Sequence, residues 1–320
     1  MLRHDVEECS FSKWYHQFKD ITIPSDIISL PTEVKDYLLS DGIILPKSCQ
    51  IELDEARESS SEYEDEVQDD EDSINDNVPD FPEFESEIRS SIAKYGFVFP
   101  KLNWSSCEDA KWIQGLGSKC STLSDVFLLL KSSDKVVHDL TQAIQHCLDF
   151  NEANEAFNYD LILREWRHIN PSMEFRCFIA RNQLIGICQR DVRSFYEHIG
   201  QQKNHIIEDI EQFFCENFQN RFSIDSFVLD LYRPTNNPND IVLIDINPFG
   251  EYTDSLLFDW DELKSRVTND NGEDFSKDFR FIESQFGVQP QRLEMNSLPL
   301  DVFNGNLDPS VFQDQLIKNG

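Results

Sequence analysis

The sequence predicts an α+β fold built on antiparallel β-hairpins, and three observations predict it. Two pairs of β-rich runs are each joined by a polar turn, within residues 173–191 and 227–250. Helical apolar spacing marks separate stretches outside those pairs, and strands and helices do not alternate in the regular series of a doubly wound parallel sheet. No internal repeat appears in the 320 residues.

In chain order, the stretch FSKWYHQFKDITIPSDIISLPTEVKDYLL is dense in aromatic and aliphatic residues, so an N-terminal segment, 1–51, is expected to pack on the body. Pro31 and Thr32 open a short helix within it. Between Glu52 and Glu87 seventeen acids stand against one base, Arg57. The central run ESSSEYEDEVQDDEDSINDNVPD has too few apolar side chains to offset its ordering entropy, so residues 52–81 read as an acidic disordered insertion. Ser59, Ser60 and Ser61 beside those acids suit an acid-directed kinase.

Pro82 starts a helix with Phe84, Ile88, Ile92 and Tyr95 on one face, and Gly96 ends it. GFVFPKLNW reads as a short buried strand. Leu123, Val126, Phe127 and Leu130, then Val137, Leu140, Ile144 and Leu148, give two short helices. NYDLILREW alternates Tyr159, Leu161 and Leu163, a half-buried strand. MEFRCFIARNQLIGICQRD is a hairpin turning at Arg181 and Asn182. Phe195, Ile199, Ile206, Ile210, Phe213 and Phe214 mark a long amphipathic helix, and FVLDLYR and IVLIDINPFG make a second hairpin across PTNNPND. The body therefore spans 82–263, followed by a polar extension, 264–320, read as a partly disordered strap bearing Phe275, Phe279, Phe281 and Phe286.

Sixty acids against 28 bases give a net charge of −32, which disfavours nucleic acid and anionic membranes as partners. Self-repulsion at that charge favours a monomer. No apolar run approaches the ~20 residues of a membrane span, and the charged N-terminus carries no export signal, so a cytoplasmic location is expected. Eight cysteines are dispersed with no C-x-x-C pair, reading as reduced thiols, with Cys177 and Cys188 in the core. Seven histidines show no metal-ligand spacing.

The closing hairpin places acids inside strands. Asp245 and Asn247 are two apart in VLIDINP and share a face, which Asp230 on the paired strand can join. Three converging oxygen ligands suit Mg²⁺ bridging nucleotide phosphates; pairing of the acids with arginines is the other reading. Lys101 emerges from FVFPK before the small polar residues of NWSS, a common way to hold phosphate. Arg164, Arg167, Arg176 and Arg190 lie on or beside apolar strands and need partners, either the acids or triphosphate oxygens.

This order of elements resembles the ATP-grasp superfamily, and longer strings resemble one family within it. FSKWY with VKDYLL, FPKLNWSS, LSDVFLLLKSSD, EFRCFI with LIGICQRD, and LIDINPFGEYTDSLLFDWDEL are similar to the eukaryotic cell division cycle 123 family, over about residues 9–263. The resemblance implies an ATP-grasp-like fold with a nucleotide site between two α+β lobes. By position it implies Lys101 as the phosphate lysine, with Asn103, Trp104 and Ser105 in the loop standing in for the superfamily's glycine-rich one. Arg164, Glu165, Trp166 and Arg167 would form the adenine-holding hinge, Arg176 and Arg190 would face phosphates, and Asp230, Asp245 and Asn247 would hold Mg²⁺. It further implies an ATP-binding assembly chaperone for the gamma subunit of eukaryotic translation initiation factor 2. The alternative is a carboxylate-amine ligase, against which stands a glycine content of 11 that offers no glycine-rich lid. Trp14, Tyr15 and Phe18, and Asp259 with Asp261 in LFDWDEL, are candidate partner contacts.

Overall fold

The computed structural model describes residues 1–50, 78–111, 113, 118–151, 157–235, 240–268 and 278–285. Most of the acidic insertion with Ser59, Ser60 and Ser61, part of the PTNNPND turn, and Phe275 and Phe286 lie outside the described residues.

Helices α1 (Arg3–Glu8) and α2 (Phe11–Phe18) precede strand β1 (Ser25–Ser29), and α3 (Thr32–Leu39) starts behind Pro31. Helix α4 (Pro82–Tyr95) carries proline in its first turn and stops at Gly96, whose φ of 76° a side chain would resist. Strand β2 (Val98–Lys101) leads to α5 (Leu123–Lys131) and α6 (Asp134–Thr141). Thr122 and Asp125 cap α5 reciprocally, and the Ser133 hydroxyl accepts from the Val136 N–H at the start of α6. The second predicted helix therefore ends before Ile144, and Leu148 beyond it is 83% exposed.

Strand β3 (Asp160–Glu165) is the middle of a three-stranded antiparallel sheet, ordered β1-β3-β2. The N-terminal segment thus supplies a strand as well as packing. The half-buried reading of β3 is corrected by the same fact: Leu161 and Leu163 enter the core with α3–α6, while Ile162 on the opposite face packs with Phe11 and Trp14. Trp14 and Phe18 are core residues, so they drop out as partner contacts.

The second sheet has five strands, ordered β7-β6-β4-β5-β8. Strands β4 (Glu174–Ala180) and β5 (Gln183–Gln189) turn through Arg181 and Asn182, both with positive φ, as a two-residue hairpin with right-handed twist requires. Strands β6 (Phe227–Tyr232) and β7 (Val242–Pro248) form the second hairpin. Strand β8 (Asp278–Arg280) lies parallel to β5, so part of the C-terminal extension is built into the sheet, with Phe279 buried. One face packs on α7 (Glu197–Asn217), burying Ile206, Ile210 and Phe214 against Phe175, Cys177 and Leu229. The other face holds Phe178, Ile185 and Cys188 beneath Phe258 and Leu263, the latter on α8 (Trp260–Thr268). All eight cysteines are free, and Cys177 and Cys188 are buried as expected. No helix among the described residues is long and apolar enough to cross a membrane.

Strand β7 carries a bulge. Asp230 faces Asp245 and Leu231 faces Leu243, so Ile244 is the extra residue. Its carbonyl is left for a partner outside the ladder. The two sheets meet along β7, where Thr22 donates to the Leu243 carbonyl and Leu243 N–H donates to Ile21. The result is two α+β lobes with a polar cleft between them, the ATP-grasp-like arrangement that the resemblance implies.

Candidate functional site

The cleft is a cavity of about 340 Å³, walled by β2 and β3 on one side and by β4, β6 and β7 on the other. That is the lower end of the range for small-molecule sites. Period-two alternation with the bulge puts Asp230, Asp245 and Asn247 on one face of the β6–β7 hairpin, with Asp230 directly opposite Asp245 and Val228 opposite Asn247. Arg176 on β4 lies opposite Asp230 on the other side.

The charges pair closely. Arg176 grips Asp230 with two parallel bonds, Nε to Oδ1 at 2.8 Å and a terminal nitrogen to Oδ2 at 2.7 Å, and donates to the Asp254 carbonyl at 2.6 Å. Arg190 stands 3.4 Å from Asp230 and 3.6 Å from Glu174. Burial pushes the Asp230 carboxyl up, but Arg176 and Arg190 overcome it and hold the group at about 2. Across the cleft, Lys101 is 1% exposed and donates from Nζ to Asp245 Oδ2 at 2.7 Å. Burial lowers its pKa, against the pull of Asp245.

Arg164 is equally enclosed. It donates to the Ile244 carbonyl at 2.8 Å, the group that the bulge frees, and to the Thr22 hydroxyl at 3.3 Å. Its Nε is buried with no hydrogen-bond acceptor among the described residues, and burial lowers the guanidinium to about 10, leaving it charged at neutral pH. A buried, under-satisfied arginine beside a buried lysine is an environment that an anion would complete.

Glu165, Trp166 and Arg167 follow Arg164 along the rim. Arg167 pairs with Glu165 at 2.7 Å, and Trp166 N–H donates to the Phe97 carbonyl, fixing this segment to the strand before Lys101. Lys119 lies over the rings of Phe97 and Trp166.

Comparison with known proteins places the chain. Residues 14–306 match the family described as D123. A relative from Xenopus tropicalis named "Translation initiation factor eIF2 assembly protein" is 45% identical over 309 residues, covering 94% of this chain and 91% of that protein. "Cell division cycle protein 123" of Yarrowia lipolytica is 36% identical over 322 residues, covering 99% of this chain and 83% of the other. The solved structure of Cdc123 from Schizosaccharomyces pombe superposes with a TM-score of 0.71 at 33% identity, over 89% of this chain and 99% of that one.

The chain belongs to the D123 family.

Not every residue expected to touch nucleotide lines the cleft of this D123 chain. The Asn103 side chain is fully buried away from it, donating to the Ser10 hydroxyl at 3.0 Å and accepting from the Asp160 N–H at 2.9 Å. Trp104 is half-buried outside the cavity lining, its indole N–H on the Val6 carbonyl at 2.8 Å and its ring stacked on Phe157. The Ser105 N–H and hydroxyl both donate to Asp139, at 2.8 and 2.7 Å, and Trp104 N–H reaches the same carboxylate at 3.3 Å. These three side chains shape the loop, and Ser106 is the loop residue at the cavity. Arg176 and Asn247 stand behind the wall, acting on Asp230; Asn247 is 3.4 Å from it.

Several cavity residues carry no strand or motif signal in the sequence: Glu108 and Lys111, paired at 3.1 Å, with Ser118 and His168; Glu174, at the head of the predicted EFRCFI strand, also lines the cavity without having been singled out. Burial drives the Glu108 carboxyl up, yet Arg190 and Lys111 bring it to about 2. Asp139 is the other missed residue. It is buried, and its role depends on a contact 34 residues away in sequence.

Among the described residues no three His, Cys, Asp or Glu side chains gather into a metal site of their own. Asp230 and Asp245 supply two carboxylates, so a hard cation there needs further oxygens from a ligand and water. The residues present fit a metal carried in with a polyphosphate.

Proposed function

We propose that the cleft binds ATP with Mg²⁺, and that the protein acts as a cytoplasmic, monomeric assembly chaperone for the gamma subunit of eukaryotic translation initiation factor 2, promoting heterotrimer assembly and thereby initiation and cell-cycle progression. One observation carries the nucleotide reading. Lys101, Arg164 and Arg190 reach the same cavity as Asp230 and Asp245, so phosphate-binding cations and metal-binding carboxylates face one another across it. Mg²⁺, when bound, would supply positive charge that offsets that of the phosphates. Lys101 and Arg164 supply the remaining counter-charge from a desolvated wall, and Asp230 and Asp245 hold the ion's side of the complex. Segment 165–167 borders the cavity, and we assign it to the base. Asn103, Trp104, Ser105 and Asp139 hold the loop that closes on the phosphate end.

The partner is supported by the relatives named for assembly of the initiation factor. The excess of acids over bases gives the chain a field that steers a basic surface toward it. Asp259 and Asp261, exposed at the start of α8, are the acidic contacts we place at that interface. Pull-down with purified gamma subunit, with and without Mg-ATP, tests the reading. Capture that strengthens with Mg-ATP supports it; no association in either condition sinks the chaperone role, and ADP released in step with a new amide would favour the ligase.

A further inference from the structure

We propose that Lys101 is a built-in counter-ion that closes Asp245 to bare divalent metal, so that metal and nucleotide enter the cleft together and their entry breaks a tie between the two sheets. This rests on the reading of the cleft as a Mg-nucleotide site and concerns what the chain's own residues do before the ligand arrives.

Both carboxylates of the site are already engaged. Asp245 Oδ2 accepts from Lys101 Nζ at 2.7 Å, and its Oδ1 accepts from the Ile246 N–H at 3.1 Å. Asp230 has each oxygen in the Arg176 fork, with Arg190 3.4 Å away. A dication arriving alone would have to expel the ammonium from Asp245. Lys101 has nowhere better to take its charge: it is buried, Arg164 repels it, and the Phe11 ring, 5.1 Å from Nζ, offers a cation–π contact much weaker than an ion pair. Asp139, the other acid acting on it, is occupied by the 104–105 loop. Stranding a buried charge in this way opposes metal binding.

A polyphosphate reverses the balance. It offers oxygens to Lys101 and to the Arg164 guanidinium, which line the same cavity, so Asp245 is released to the metal without leaving an orphan. One ion pair becomes two. The same exchange dissolves the Lys101–Asp245 bridge between β2 and β7, members of different sheets. The lobes are then joined here by Arg164 on the Ile244 carbonyl and by the Thr22–Leu243 seam.

The test uses Mn²⁺ as the probe, titrated into the full chain without nucleotide and followed by the electron paramagnetic resonance signal of the free ion. Wild type should show only weak sites on its acidic surface. Lys101→Met should gain one site about tenfold tighter, because Asp245 has lost its counter-ion, and the Lys101→Met/Asp245→Asn double variant should lose it again. Lys101→Gln removes the charge but keeps a donor, and it should show the same gain if the methionine variant does not fold. A gain of binding is an outcome that misfolding would not mimic. In wild type, ATP should raise Mn²⁺ affinity by about tenfold or more. The proposal is overturned if neither Lys101 variant binds Mn²⁺ more tightly than wild type, or if wild type binds it tightly without nucleotide. Calorimetry with ATP and Mn²⁺ on wild type reports the nucleotide reading separately: no binding there would overturn joint entry, while the variants still decide whether Lys101 guards Asp245.

Discussion

Replacing Asp230 with asparagine removes one negative charge from between two buried arginines and keeps the shape of the side chain. The carboxylate is 2% exposed, and Arg176 and Arg190 hold it at about 2, against an ordinary value of 3.8. That gap corresponds to about 2 kcal/mol of preferential interaction with the charged form. Asparagine also leaves the Arg176 fork half-filled and Arg190 facing a neutral group, so the loss at pH 7 should be about 3 kcal/mol. The sign of the pH dependence follows from the depressed folded value: the contribution is complete above about pH 4 and drains away as pH falls toward 2. Urea unfolding followed by far-ultraviolet circular dichroism, at pH 7 and pH 3, checks both parts. The difference between wild type and variant should narrow by about 1 kcal/mol at the lower pH. A difference below about 1 kcal/mol at pH 7, or one unchanged between the two pH values, would refute the assignment of Asp230 as a charge clamped by two arginines.

Other substitutions separate structure from ligand. Asp139→Ala strips the acceptor from two backbone N–H groups and a hydroxyl, and should cost about 2–4 kcal/mol in chemical unfolding. It should also weaken Mg-ATP about tenfold by calorimetry on the folded fraction, since the loop beside Lys101 loses its anchor. Asn103→Ala should cost about 1–3 kcal/mol through its bonds to Ser10 and Asp160, yet leave Mg-ATP affinity within about threefold. A tenfold loss in a folded Asn103 variant would return that residue to the ligand. Gly186→Ala puts a Cβ 2.9 Å from the Phe258 ring and should lower stability by about 1–3 kcal/mol with nucleotide binding unchanged; an unaltered melting temperature would contradict that close packing.

Much of the site was legible because strands obey a period of two. Asp245 and Asn247 share a face whatever the register, and the hairpin pairing brought Asp230 beside them. The bulge at Ile244 carries no sequence mark, but it falls before Asp245 and leaves that pair aligned. The hairpin at Arg181 and Asn182 was readable from the β-rich runs on either side. What failed were side chains whose direction is set by distant partners. Asn103, Trp104 and Ser105 look like a polar phosphate loop, yet each is claimed from elsewhere, by Ser10 and Asp160, by Val6 and Phe157, and by Asp139. The arginine question left open in the sequence has a definite answer here: Arg176 spends itself on Asp230, while Arg164 keeps an unsatisfied edge. The half-buried reading of β3 failed because its second covering layer, α2, comes from residues some 150 positions earlier.

Carboxylates on the β6–β7 hairpin and cations across the cleft are proposed to hold one Mg-nucleotide between them. Isothermal titration of Mg-ATP into wild type and into a folded Asp245→Ala variant tests this most directly. Wild type should bind one equivalent, and the variant should bind about a hundredfold more weakly, because the metal loses a ligand. No binding by wild type, or equal affinity in the two proteins, would contradict it.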